Sequence, residues 1–103
     1  GKYQNGAIPM ASRMELNGDL GGRKTDRVFA ATQAYLDIAA KHDMLPIHMA
    51  MAWQATRPFA VSAIFGATTA DQLAEILSGR DVVLCDAALA DINAAHKAHP
   101  APY

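Results

Sequence analysis

A chain of 103 residues, 51% hydrophobic and 18% charged, has the composition of a folded domain, and its length limits it to a modest core. A formal net charge of −1, with basic residues scattered apart from Arg23-Lys24 and Arg27, gives no footprint for nucleic acid or an anionic membrane surface. The single cysteine, Cys85, excludes an internal disulfide and suits a reducing, cytoplasmic setting, while no run reaches the roughly 18 apolar residues of a membrane span.

In chain order, Gly1-Lys2-Tyr3 opens without an initiator methionine, so the start reads as a cut. Residues 1–24 read as a loop, broken by Gly6, Pro9, Gly18, Gly21 and Gly22, with Ser12-Arg13 as its most interesting pair because arginine forks onto phosphate or carboxylate. Helices are expected over 25–42, 46–56, 69–78 and 86–97, started by Thr25 or Asp26, Pro46, Thr69 and Asp86. Met49, Ala50, Met51, Ala52 and Trp53 leave the second of these helices almost no polar face, which predicts burial on most sides. Gly79 is suited to a left-handed cap after the third.

Between Arg57-Pro58, which ends a helix, and Gly66 lies one clear strand candidate, 59–65, apolar on both faces as in a buried, usually parallel, sheet. Its end is the most informative stretch. The run stops at Gly66, passes Ala67, Thr68 and Thr69, and becomes a helix carrying Gln72 and Glu75. Two readings are open: the threonines only start the helix, Thr69 to Gln72 fitting a capping box, or the junction holds a phosphate on backbone N–H groups at a helix start.

His42, His48, His96 and His99 lack Cys or Glu partners at metal-ligand spacing, so no metal site is expected. No serine stands in a nucleophile elbow, and Lys2-Tyr3, adjacent in a loop, are assigned no catalysis.

The order of these pieces resembles the C-terminal part of the aldo/keto reductases. The matching residues are Gly1-Lys2-Tyr3, Pro9 with Ser12-Arg13, Leu36-x-Ile38-Ala39, Met49-Ala50-x-Ala52-Trp53, and Ile64-x-Gly66-Ala67-Thr68-Thr69-x-x-Gln72-Leu73-x-Glu75. The resemblance is strongest to bacterial members with a Gly-Lys-Tyr loop. It implies an α/β fold, the C-terminal third of a (β/α)8 TIM barrel, since a whole barrel takes about 250 residues. It also implies a parent oxidoreductase that reduces an aldehyde or ketone with NADPH, and it places Gly66, Ala67, Thr68, Gln72 and Glu75 around the adenosine and its 2′-phosphate. The family's acid/base tyrosine and its aspartate, lysine and histidine partners lie upstream of anything matched, so no catalytic residue is expected in this chain. Leu45 stands where the family usually has serine, removing a helix cap worth about 1 kcal/mol. The alternative expectation is a small helical interaction module without a cofactor. Either way, surplus apolar surface predicts self-association of the isolated chain.

Overall fold

A computed structural model describes residues 1–103 and contains helices and turns but no β-strand. After a 3-10 turn at Gln4–Gly6 come α1 (Arg13–Asn17), α2 (Asp26–Lys41), α3 (Pro46–Ala55), α4 (Ala70–Ser78) and α5 (Asp86–Ala98).

Short-range chemistry sets most helix starts. Thr25 Oγ1 accepts from Val28 N–H at 3.2 Å, satisfying one orphan donor of α2, and donates to the Pro102 carbonyl at 3.0 Å, tying the C-terminal tail to the same place. Pro46 occupies the first turn of α3, and Leu45 before it supplies no side-chain cap. At α5 the cap position belongs to Cys85, not to the expected Asp86; Asp86 is the first helical residue, its carboxylate beside the positive end of the helix.

Within 1–24, read from sequence as irregular, α1 forms through a capping box displaced by one residue. Ser12 Oγ accepts from Glu15 N–H at 3.3 Å, and the Glu15 carboxylate accepts from Ala11 N–H. Met14 is thereby buried, whereas Arg13 stays exposed. The turn at Gln4–Gly6 is pinned to α2 by Gln4 Nε2, which donates to the Phe29 carbonyl at 3.0 Å.

The core is where α2 packs on both α3 and α5. Ala39, Met49, Ala52, Leu84, Ala88 and Ile92 form one buried cluster, with Tyr35, Ile38, Trp53 and Leu89 partly buried against it. Alanines at 39, 52 and 88 let the helix backbones come close, and Met49 fills the irregular space between them. The α3 helix is less enclosed than its lack of a polar face predicts, since Ala50 and Ala55 are exposed.

The expected α/β organisation is overturned at 59–65: no strand forms there. No backbone hydrogen bond is made between Pro58 and Ala67, and Phe59 and Ile64 are 68% and 95% exposed. The cause is the missing partner. A strand needs a neighbouring ladder to satisfy its N–H and C=O groups, and Val82–Leu84, the other short apolar run, forms no strand and makes no backbone hydrogen bond to it.

Gly79 also departs from expectation. Its φ is −93°, not left-handed, so a C-cap conformation does not require glycine here. Space does: a Cβ at Gly79 would lie 2.1 Å from His48 Cδ2. His48, buried on α3, packs its ring against the end of α4.

Candidate functional site

At the junction before α4, Thr69 Oγ1 accepts from Gln72 N–H at 3.2 Å, and Gln72 Oε1 accepts from both Thr68 N–H at 2.8 Å and Thr68 Oγ1 at 2.9 Å. This is a capping box displaced by one residue, because Gln72 reaches Thr68 N–H in place of the Thr69 N–H. Thr68 and Gln72 are therefore brought together, each partly satisfied by the other. Gly66 and Ala67 are exposed beside them, and a Cβ on Gly66 would meet nothing within 4 Å.

Glu75 is separated from that pair in role. Its backbone carbonyl accepts from His48 Nε2 at 2.7 Å and from Ser78 Oγ at 2.7 Å, which anchors the middle of α4 to α3. The residue also lines a cavity of about 620 Å³, within the range of small-molecule sites. Gly66, Ala67, Thr68 and Gln72 do not line it.

The cavity gathers groups from four parts of the chain. Lys2, Arg23 and Lys24 contribute three positive charges against the one negative charge of Glu75, and Val28, Phe29 and Ile47 supply an apolar wall. A concave, partly apolar site with excess positive charge favours an organic anion over a neutral or cationic ligand. Tyr3 stands at its edge, with Lys2 Nζ 5.1 Å from its ring centroid and Met14 N–H donating to its hydroxyl at 3.4 Å. Desolvation pushes the Tyr3 phenol up, but the Met14, Lys2 and Ser12 contacts outweigh it and hold the phenol below its ordinary value.

Reading residues by type missed part of this arrangement. Lys2-Tyr3 look inert as loop neighbours, and Arg23-Lys24 register only as a charge cluster; their convergence depends on the turn at Gln4–Gly6 being pinned to α2. His48 carried a usable signal, a lone imidazole in an otherwise apolar helix, which requires a buried acceptor. No group of three or more metal-ligating side chains occurs. No helix is long and apolar enough to cross a membrane.

A helical scaffold with a basic cavity is compatible with several ligand-binding classes, and sequence comparison supplies the family. The profile of the Aldo/keto reductase family matches residues 1–97, and the chain belongs to that family. Protein tas of Escherichia coli (strain K12) is 38% identical over 104 residues, and protein tas of Shigella flexneri matches to the same extent. The alignment covers 99% of this chain but 30% of either relative, so the chain spans about a third of their length.

Proposed function

We propose that this chain is the cofactor-holding part of an NADPH-dependent oxidoreductase that reduces an aldehyde or ketone, acting in the cytoplasm. The observation that carries the reading is the cavity lined by Lys2, Arg23, Lys24 and Glu75, the last of these on the helix that the Gly66–Gln72 junction opens. These residues fit the anionic, adenosine end of a dinucleotide: ammonium and guanidinium groups meet phosphate oxygens, and a carboxylate can accept from ribose hydroxyls or an exocyclic amine. Gly66 and Ala67, open and without side-chain bulk, leave room for a ligand to approach the backbone, while Gln72 retains donor capacity on Nε2 and Thr68 Oγ1, its hydrogen given to Gln72, can still accept. NADPH supplies the hydride when bound. The chain's own share is binding and orientation.

The isolated polypeptide is expected to bind weakly and to reduce nothing, since hydride transfer also needs a positioned proton donor. Titrating NADPH into labelled protein should perturb the amide resonances of Lys2, Arg23, Lys24, Gly66 and Glu75. Saturating NADPH without change at these positions sinks the reading, and NADPH-dependent carbonyl reduction by the purified chain would contradict its passive role.

A second reading, a helical module that associates with itself, rests on the exposure of Phe59, Val61 and Ile64. Light scattering over a concentration series tests it, and a monodisperse monomer at every concentration argues against it.

A further inference from the structure

At the C-terminal end of α2, the side chain of His42 meets those of Cys85 and Asp91, which lie 43 and 49 residues further along the chain. Cys85 is exposed, and its Sγ lies 4.0 Å from His42 Nδ1. On the other side of the imidazole, His42 Nε2 is 2.8 Å from Asp91 Oδ2, an oxygen shared with Lys41 Nζ at 2.8 Å. Lys41, and then His42, hold the Asp91 carboxyl below its ordinary range, so it remains an acceptor and takes the hydrogen on Nε2. That tautomer leaves the Nδ1 lone pair facing the sulfur. Although Cys85 occupies the cap position of α5, its side chain makes no capping hydrogen bond. The cluster thus has the roles of an activated nucleophile: thiol, base, and a carboxylate that orients the base. The His42 side chain is 14% exposed, which limits competition from water for the ring. None of Lys41, His42, Cys85 and Asp91 lines the cavity, so the two sites are distinct.

We propose that Cys85, His42 and Asp91 form a reactive-thiol site that takes small α,β-unsaturated carbonyl compounds. In the addition, the S–H bond breaks, its proton passes to His42 Nδ1, and the sulfur forms a bond to the β-carbon. The displaced π electrons move onto the α-carbon and carbonyl oxygen as an enolate, and the imidazolium returns the proton to the α-carbon. The product is a thioether carrying an intact carbonyl, with no co-reactant consumed. A polarisable sulfur favours this soft electrophile, and the open surface at Cys85 admits a small one without a shaped pocket.

N-ethylmaleimide, itself an α,β-unsaturated carbonyl, is the probe, because Cys85 is the only thiol in the chain. Rates are measured by mass spectrometry on native protein and on protein unfolded in urea, each normalised to glutathione in the same solvent. Native Cys85 should react about 10-fold faster than the unfolded thiol. His42→Ala should bring the native rate down to the unfolded one, and Asp91→Asn should slow it several-fold. Lys41→Gln should keep it within about 2-fold, because the base and its orienting carboxylate remain. Circular dichroism checks that each variant retains its helices; if His42→Ala does not, the native-to-unfolded ratio and Asp91→Asn decide. A native rate no higher than the unfolded one overturns the proposal. So does a native rate unchanged in folded His42→Ala or Asp91→Asn, which would leave exposure or the α5 dipole as the whole cause.

Discussion

The α2–α3–α5 core and the segment 58–67 are both rich in apolar residues, yet one is buried and the other is not. Ala39, Met49, Ala52, Leu84, Ala88 and Ile92 lie between 0% and 7% exposed, whereas Ile64, as apolar as Ile92, is 95% exposed. The difference lies in the backbone. A helix satisfies its own N–H and C=O groups, so its apolar side need only find another surface; an extended segment must find hydrogen-bond partners as well. Apolar sequence is therefore sufficient for burial in the helices and insufficient in 58–67.

The largest expected effect tests this contrast directly. Ile92→Ala should destabilise the chain by about 3 kcal/mol, read from urea unfolding followed by circular dichroism. Ile64→Ala should stay within about 0.5 kcal/mol in the same assay. Equal losses would mean that the segment is buried in solution and that the contrast fails.

Next comes Gly79→Ala, expected to cost about 2 kcal/mol because the new methyl must displace the His48 ring. The double variant with His48→Ala should lose less than the two single changes added together, since the clash is removed. Strict additivity would show that the close approach of α3 and α4 carries no energy.

Thr69→Ala removes the Oγ1 acceptor for Gln72 N–H and should cost about 1 kcal/mol of helix stability. Hydrogen exchange is the suitable probe, with protection lost in α4 while amides in α2 and α5 keep theirs. Loss spread evenly over all three helices would show that α4 and the core unfold as one unit.

The smallest effect concerns Asp91. Its folded carboxyl is depressed by Lys41 and His42, so the stabilisation is complete above the unfolded carboxylate value of about 3.9 and fades as pH falls through the lower folded value. The stability gap between the wild-type chain and Asp91→Asn should accordingly be steady near neutrality and close below about pH 4. A gap that widens on acidification would reverse the assignment.

Local chemistry was the legible part of the sequence. Thr25, Pro46 and Thr69 mark helix starts because their effects operate within one turn. Ser12-x-x-Glu15 carried the same kind of signal, and the glycines around it masked α1. The strand expected over 59–65 does not form because an apolar run reports what a segment could bury, not whether a ladder lies beside it. At the candidate site, Glu75 was legible as a polar group on α4, but its neighbours Lys2, Arg23 and Lys24 depend on tertiary placement that no spacing rule encodes.

The lack of backbone hydrogen bonds from Pro58 to Ala67 also bears on how the chain would come apart. Proteases bind their substrates extended, and a segment without internal pairing, carrying exposed Phe59, offers chymotrypsin an accessible site. The core draws Ala39, Met49 and Ala52 from one side of that cut and Leu84, Ala88 and Ile92 from the other. A single nick should therefore yield two fragments that migrate together in native buffer and separate only in denaturant.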